Sequence, residues 1–265
     1  MDTLVEYTVD GAAARLTLNS PHNRNALSST LVSQLHQGLR DAATDPAVRV
    51  VVLDHTGNTF CAGADLTEAS ASPSAGPAEL ATERAREAAA LMRAIVEAPL
   101  PVIAAVNGHV RAGGLGLVGA CDIAVAGPGS TFALTEARIG VAPAIISLTL
   151  LPKLTARAAA RYYLTGEKFG AAEAAAIGLI TLAVEKAEDV GVAVAALVAD
   201  LQLGSPQGLA ASKALTTAAV LAGFDRDAER LSIDSARLFV SEEAREGMAA
   251  FLQKRPPRWL AGTAE

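Results

Sequence analysis

The chain has 265 residues, of which 51% are hydrophobic and 19% are charged, and its formal net charge is −6. This composition excludes wholesale disorder, which needs low hydrophobicity and high net charge. The negative charge argues against nucleic acid as a partner, because a nucleic-acid-binding protein carries a basic face. The longest uncharged apolar stretches, such as residues 190–199, have about half the ~20 residues of a membrane-spanning helix. We therefore predict no membrane span and expect the apolar excess in a core or in subunit interfaces.

The cysteines and histidines predict neither a metal site nor a disulfide framework. Cys61 and Cys121 are too few and too far apart for either, and the four histidines form no H-E-x-x-H pair. The chain starts with acidic residues instead of a basic segment and an apolar run, which predicts no secretory signal. These features together favour a cytoplasmic, reducing location.

The first residues predict a hairpin and a helix. Residues 4–9 alternate in polarity, Asp10-Gly11 is a turn dipeptide, and residues 13–18 return as a second strand. Leucines recur every four residues over 27–39, which predicts an amphipathic helix with a serine at 28 or 29 as its cap.

The remainder of the chain predicts strands that alternate with helices and then helices alone. In chain order, we expect a strand at 48–53, a loop at 55–66, a loop at 68–77, a helix at 79–97, a strand at 101–106, a glycine-rich turn at 107–116 opening a short helix that ends near Asp122, strands at 123–126 and 131–134, helices from 147, a strand at 179–184, and helices from 205 to 254. This order indicates the α/β class with a helical C-terminal part. No internal repeat is visible.

Two loops that follow predicted buried strands are suited to hold a developing negative charge. Gly63, in residues 60–66, lets the backbone turn so that the next amide points into a cleft. Residues 108–116 open a helix, whose free amides attract negative charge. Two amides that converge on one oxygen would form an oxyanion hole. Two simple tight turns are the alternative.

The segment 114–119 also fits G-x-G-x-x-G, the dinucleotide-binding pattern. The context argues against that interpretation, because residues 107–113 separate the strand end from the first glycine. The pattern needs an immediate tight turn there.

Short motifs are spread over the chain from the first hairpin to residues 251–255. They are Phe60-Cys61-Ala62-Gly63-Ala64-Asp65-Leu66, Ala105-Val106-Asn107-Gly108, Gly113-Gly114, Ala120-Cys121-Asp122-Ile123, Phe132 with Glu136, Leu164-Thr165-Gly166, and Ala-Ala-Ile-Gly-Leu at 175–179. Each motif alone is weak, but the ordered set resembles the crotonase, or enoyl-CoA hydratase/isomerase, family.

The resemblance implies a fold, an assembly and a class of substrate. The family fold is a spiral of repeated ββα units, here expected over 1–204, with a helical trimerisation part, here expected over 205–265. The implied partners are an acyl-CoA substrate and copies of the same chain, as a homotrimer or a dimer of trimers. No metal or redox cofactor is implied, because coenzyme A is part of the substrate.

The resemblance also assigns residues to substrate binding. The backbone amides of Ala64 and Gly113 would stabilise the thioester enolate. The positions around Ala62, Asp65 and Leu66 would meet the adenine of CoA. Arg24 lies where the family often places a basic residue near the CoA phosphates, and Lys254 matches a basic segment that can reach a neighbouring subunit's nucleotide. The alternative for both basic residues is a solvated surface charge.

The catalytic carboxylates depart from the common family pattern. Hydratases of the family commonly use two glutamates, and the second is present as Glu136, whose structural alternative is a helix-start acid. The first is replaced by Gly116, which can act as neither acid nor base. The two-glutamate mechanism therefore cannot be carried over intact.

Three interpretations stay open at this point. Some family isomerases use one glutamate at the Glu136 position to move a proton between the α- and γ-carbons. A bacterial subgroup resembling methylglutaconyl-CoA hydratases has glycine at the Gly116 position and a segment like residues 135–147. A CoA-ester-binding protein without turnover is the third. The likeness of residues 143–147 to that subgroup favours a hydratase, acting on a branched or glutaconyl-type acyl group.

Arg111, two residues before Gly113, carries a further hypothesis. Its guanidinium would pair with a second carboxylate on the acyl group, and a salt bridge with a surface acid is the alternative. His55 and His109 border the loops, and we interpret both as hydrogen-bonded structural residues.

Overall fold

The computed structural model describes residues 2–65, 68 and 76–260. Its strands are β1 (Val5–Asp10), β2 (Ala13–Leu18), β3 (Val50–His55), β4 (Thr59–Cys61), β5 (Val102–Val106), β6 (His109–Arg111), β7 (Ile123–Ala126), β8 (Thr131–Ala133), β9 (Phe169–Gly170) and β10 (Leu182–Ala183). Its α-helices are α1 (Ser29–Thr44), α2 (Pro77–Glu97), α3 (Gly113–Ala120), α4 (Ser147–Leu150), α5 (Ala156–Thr165), α6 (Ala171–Ala176), α7 (Asp189–Gln202), α8 (Pro206–Phe239) and α9 (Glu242–Leu252). Short 3-10 helices cover Pro21–Asn23, Glu136–Ile139 and Arg258–Leu260.

The larger sheet has the strand order β1-β2-β3-β5-β7-β10. The hairpin β1–β2 is antiparallel, and the other strand pairs are parallel. Both faces of the sheet are covered: Val51 and Leu53 of β3 pack in one apolar cluster, whereas Val50 and Val52 pack in another with α7. Burial on both faces explains why β3 and β5 are continuous apolar runs instead of alternating ones.

A smaller sheet has the order β4-β6-β8-β9. Strand β6 pairs in parallel with both β4 and β8, and β9 is antiparallel to β8. A long strand, a short strand and a helix recur as β3-β4-α2 and as β5-β6-α3. The predicted α/β class is therefore confirmed, and the repeated strand-strand-helix units agree with the repeated units that the family resemblance implies, although no repeat is visible in the sequence itself.

The predicted elements at the chain start are confirmed. The hairpin forms as expected, and the Ser28 hydroxyl accepts a hydrogen bond from the Leu31 amide (3.3 Å) at the start of α1. The predictions of a loop at 55–66 and of a turn at 107–116 are wrong in part, because these segments contain β4 and β6. Strands of three residues are too short to carry a periodic signal. Most of the loop predicted at 68–77 lies outside the described residues.

The C-terminal helices pack on the rest of the chain. Helix α8 lies along α2, and the Lys213 ammonium of α8 is buried against the Ile95 and Leu100 carbonyls and the Asp122 carboxylate. The boundary at 204/205 falls between α7 and α8, and the division into two parts there stays a prediction. Within the described ranges no single helix is long and apolar enough to cross a membrane, although α7 and α8 meet that criterion as a pair bent by 113°.

Candidate active site

The two glycine-containing loops meet at one edge of the smaller sheet. Strands β4 and β6 are parallel neighbours, so the loops that follow them leave the sheet side by side. A Cβ atom on Gly63 would lie 2.8 Å from the Ala112 Cβ and 3.2 Å from the Gly113 nitrogen. Gly63 also has φ +93°, a conformation that favours glycine. The close approach of the loops therefore depends on glycine at position 63.

The predicted amides of Ala64 and Gly113 lie next to each other with their hydrogens unused. The Leu27 amide donates to the Gly63 carbonyl (2.8 Å), and the Leu27 carbonyl accepts from the Asp65 amide (3.3 Å). This parallel bridge leaves the Ala64 amide on the opposite side of its segment. Within the described part of the chain, neither the Ala64 nor the Gly113 amide donates a hydrogen bond. A Cβ on Gly113 would lie 3.8 Å from the Ala64 nitrogen.

These two donors have the character of an oxyanion hole. Gly113 is the first residue of α3, where the helix dipole favours negative charge. Ala112, directly before it, has φ 46° and ψ −121°, a strained conformation for a residue with a side chain. Such strain is typical of functional sites, and here it sets the direction of the Gly113 amide.

Glu136 begins the 3-10 helix that follows β8 and is only 8% exposed. Its Oε2 atom is buried and has no hydrogen-bond partner among the described residues. Burial raises the pKa of its carboxyl group to about 7, against a smaller opposing effect of its own backbone amide. A carboxyl group with this pKa exchanges protons readily near neutral pH, as a general acid or base must.

Two apolar side chains fill the place next to Gly116 where the common family pattern has a glutamate. A Cβ on Gly116 would lie 2.4 Å from the Met92 Cε and 2.6 Å from the Ile146 Cγ2. A carboxylate at this position would displace both side chains and would lie against a methyl group and a thioether. Nothing in the local sequence marks Met92 as a neighbour of Gly116.

The residues predicted to bind CoA are in part brought together. The Arg24 carbonyl accepts a hydrogen bond from the Ala62 amide (3.1 Å), and the Asp65 carboxylate accepts one from the Asn23 side chain (3.1 Å). Arg24 is exposed beside this pairing. Leu66 lies outside the described residues.

Lys254 is exposed after the end of α9. No hydrogen bond or ion pair found in the described part of the chain joins it to Arg24, Ala62 or Asp65. Its neighbour Arg255 forms an ion pair with Glu246 instead (2.6 Å).

His55 and Arg111 support the backbone around the loops. The Asn107 amide donates to His55 Nε2 (3.1 Å), and His55 Nδ1 contacts the Thr56 carbonyl (3.3 Å), as expected for a structural histidine. Burial lowers the pKa of His55. The Arg111 guanidinium donates to the Thr131 carbonyl (2.6 Å) and hydroxyl (2.8 Å), bracing β8. Among the described residues it forms no ion pair with a surface acid.

His109 also bonds to β8, because its Nδ1 lies 2.9 Å from the Thr131 hydroxyl. One tyrosine that is influenced by the charge of Glu136 was not expected from the sequence. The Tyr163 hydroxyl is buried without a partner among the described residues. Burial raises its pKa, and the charge of Glu136 adds to this shift. No local pattern marks Tyr163, because adjacent residues of a helix face different surroundings and only the packing decides which of Tyr162 and Tyr163 lies toward Glu136.

Comparison with known proteins covers nearly the whole chain. Residues 8–262 match the family model described as enoyl-CoA hydratase/isomerase. The crystal structure of an enoyl-CoA hydratase from Mycobacterium avium is 73% identical, with a TM-score of 0.90 over 98% of this chain and 100% of that one. The mevalonyl-coenzyme A hydratase of Aspergillus fumigatus is 33% identical over 92% of this chain and 90% of its own. The mitochondrial enoyl-CoA hydratase domain-containing protein 2 of Bos taurus is 34% identical over 93% of this chain and 84% of its own. The likeness noted from the motifs thus extends from the first strand to the last helix, and the chain belongs to the enoyl-CoA hydratase/isomerase family.

Proposed function

We propose that the protein adds water reversibly to the double bond of a 2-enoyl-CoA thioester. The observation that carries this proposal is the buried Glu136 carboxyl group, whose pKa is about 7 and whose Oε2 atom has no hydrogen-bond partner among the described residues. The Ala64 and Gly113 amides lie beside each other, and neither donates a hydrogen bond in the described part of the chain. A carboxyl group and two amide donors are the groups that hydration through an enolate requires.

The proposed reaction begins with the thioester oxygen in the oxyanion hole, where the Ala64 and Gly113 amides donate to it. Glu136 takes a proton from water as the water oxygen bonds to C3. The C2–C3 π electrons move toward the thioester carbonyl, and the two amides stabilise the resulting enolate. Glu136 then returns the proton to C2, so that one water molecule is added and the carboxyl group regains its first state.

We propose a branched or glutaconyl-type acyl group as the substrate, in keeping with the subgroup likeness of residues 135–147. The relation to a mevalonyl-coenzyme A hydratase supports a branched acyl group. Arg111 does not support a glutaconyl group, because its guanidinium already donates to Thr131. The CoA moiety would lie along Arg24, Ala62 and Asp65, with Lys254 reaching a neighbouring subunit.

A second candidate, isomerisation of 3-enoyl-CoA to 2-enoyl-CoA, is favoured by the surroundings of Gly116. Met92 and Ile146 leave Glu136 without a second carboxylate at that position. A single carboxylate can take a proton from C2 and return it to C4 without the help of water.

A panel of thioesters tests both candidates. Straight-chain 2-enoyl-CoA, 3-enoyl-CoA and methylglutaconyl-CoA are incubated with the protein in water and in D₂O, and products are identified by mass. Hydration adds the mass of water, whereas isomerisation leaves the mass unchanged and moves the double bond into conjugation with the thioester, which ultraviolet absorbance detects. In D₂O the proton that Glu136 carries directly from C2 to C4 stays in the product, whereas hydration places solvent deuterium at C2. Hydration of the methylglutaconyl ester in preference to the straight-chain ester would support the finer proposal.

Replacement of the proposed base supplies the control for the panel. We expect Glu136→Gln to bind acyl-CoA nearly normally, because the two amides are unchanged, and to lose about 10² or more in turnover. Full turnover in this variant would show that another residue is the base. A parent protein that turns over no ester, yet binds CoA thioesters, would point to a binding protein instead.

A further inference from the structure

Two neighbouring tyrosines of α5 have different hydrogen-bond environments. The Tyr162 hydroxyl donates to the Glu173 carboxylate at 2.7 Å, so it has a structural partner. The Tyr163 hydroxyl is also buried, but among the described residues it has no partner. A buried hydroxyl is normally hydrogen-bonded, and an exception calls for an explanation.

The Tyr163 hydroxyl lies in the surroundings of Glu136. The 3-10 helix that begins at Glu136 packs against α5, and the Arg138 side chain donates to the Thr165 carbonyl at the end of α5 (2.9 Å). A Cβ on Gly166 would lie 3.0 Å from the Leu134 carbonyl, so this helix end also touches the chain just before Glu136. Burial raises the pKa of the Tyr163 hydroxyl, and the nearby charge of Glu136 raises it further.

The Glu136 Oε2 atom is likewise buried without a partner among the described residues. The Glu136 Oε2 atom and the Tyr163 hydroxyl are therefore suited to bind one small polar molecule between them. Residue 116 supplies no further polar side chain, because it is a glycine and the Met92 and Ile146 side chains occupy the space beside it.

We infer that the Tyr163 hydroxyl is a catalytic group that holds the reacting water beside Glu136. The inference rests on the proposed hydratase function and adds to it the second water-binding group that Gly116 cannot supply. Water donates one hydrogen to the Glu136 carboxylate and the other to the Tyr163 phenol oxygen, which leaves an oxygen lone pair directed at C3.

The proton balance assigns different parts to the two residues. As the water oxygen bonds to C3, its bond to the hydrogen held by Glu136 breaks, and Glu136 later delivers that proton to C2. The hydrogen held by Tyr163 stays on the oxygen and becomes part of the product hydroxyl. Tyr163 therefore neither gains nor loses a proton, and it acts by orienting the water.

This division predicts that Tyr163→Phe impairs water addition but spares proton exchange. Hydration of crotonyl-CoA, or of whichever ester the parent hydrates best, should lose about 10-fold or more in kcat. KM should stay within about 3-fold, because the acyl-CoA contacts are untouched. Exchange of the C2 hydrogen of butyryl-CoA with D₂O needs only Glu136 and the two amides, so it should stay near the parent rate.

Tyr162→Phe is the matched control, since it removes one hydroxyl from the same helix. We expect it to lower the midpoint of thermal unfolding through loss of the bond to Glu173 while leaving kcat unchanged. Tyr163→Phe should leave that midpoint unchanged or raise it, because the hydroxyl it removes has no partner. The opposite pattern, in which Tyr163→Phe lowers stability and turnover together, would assign Tyr163 a structural role and overturn the inference.

The remaining outcomes are equally decisive. Unchanged hydration in Tyr163→Phe would overturn the inference while leaving the proposed hydratase function intact. Equal losses of hydration and of C2 exchange would also overturn it, because the effect would not be specific to water. A parent that hydrates no ester fails the proposed function itself, and that failure is visible before any variant is made.

Discussion

Burial acts on the carboxyl group of Glu136 more strongly than its own backbone amide does, and it raises the pKa from 4.5 to about 7. The carboxylate form is disfavoured because it leaves water without gaining a hydrogen-bond donor for Oε2 among the described residues. This one property has separate consequences for activity and for stability.

For activity, we expect kcat/KM for hydration to depend on an ionised Glu136 in the free enzyme. The rate should fall about tenfold for each pH unit below 7, since the protonated group cannot accept a proton from water. A pH–rate profile measured with a neutral enoyl-CoA checks this. An acid limb near pH 4.5 would mean that Glu136 is not desolvated in the working enzyme.

For stability, the sign follows from tighter proton binding in the folded state. The raised pKa favours folding below pH 4.5, and this contribution is lost as the pH rises through about 7. The loss is roughly 3 kcal/mol in the free energy of unfolding. Glu136→Gln should therefore be more stable than the parent at pH 8, with the two converging near pH 4. Urea unfolding at several pH values measures the two free energies of unfolding. A difference between variant and parent that is the same at every pH would contradict this prediction.

At the scale of elements, α2 packs against α3 at Gly116. The end of the Met92 side chain from α2 and Ile146, before α4, close on the backbone of Gly116. All three residues are buried in the described structure. The packing of these helices therefore excludes a side chain from position 116.

We predict that Gly116→Ala destabilises the fold by about 1–3 kcal/mol through overpacking. The same substitution should cost less in a Met92→Ala background, because the nearest atom is then gone, so the two changes should be non-additive in a double-mutant cycle. Gly191→Ala in α7 is the control, since its new Cβ would meet nothing within 4 Å. It should stabilise the protein by about 0.4–1 kcal/mol. Additive effects of the first two changes would show that Met92 does not occupy this place.

At the scale of the whole molecule, a buried lysine joins the C-terminal helices to the sheet. The Lys213 ammonium of α8 donates to the Ile95 carbonyl (2.8 Å), the Leu100 carbonyl (3.0 Å) and the Asp122 carboxylate (2.8 Å). These acceptors come from the end of α2, from the segment before β5 and from the turn before β7. Burial lowers the pKa of Lys213, and Asp122 opposes this shift.

Removing the Lys213 charge should lower the stability of the fold without changing the catalytic rate. We expect Lys213→Met to lower the free energy of unfolding by about 3–5 kcal/mol, because it leaves buried acceptors unpaired. At a temperature where the variant is folded, its kcat should match that of the parent. Lys168→Met, at an exposed position, should change stability by no more than about 0.5 kcal/mol. Similar small effects of both substitutions would contradict a stabilising role for Lys213.

Assembly is the remaining prediction at this scale. Large hydrophobic side chains are exposed toward the C-terminus at Leu203, Leu215, Ile233, Phe251, Leu252, Trp259 and Leu260. We expect such surfaces to be covered by other copies of the chain. Light scattering should then give three or six times the 27.0 kDa mass of one chain. A stable monomer at micromolar concentration would refute the trimer.

The sequence by itself determined most of the longer local elements, and through the family resemblance it pointed to the proposed site residues. Alternating polarity predicted the hairpin β1–β2, and leucines at every fourth position predicted the helix α1 with its Ser28 cap. Both patterns depend only on residues that are close in the sequence. The ordered motifs led to the proposal of Ala64, Gly113 and Glu136 as site residues, and they revealed glycine at position 116, where the common family pattern has a glutamate.

Only the tertiary structure decided what surrounds those residues. It brought Met92 and Ile146 against Gly116, Tyr163 into the surroundings of Glu136, and Thr131 against Arg111. It also formed the smaller sheet, whose three-residue strands are held by partners distant in the chain. Contacts between residues far apart in sequence depend on how whole elements pack, and a local pattern contains no record of that packing. The pKa of Glu136 is set by the same packing, because its main cause is burial.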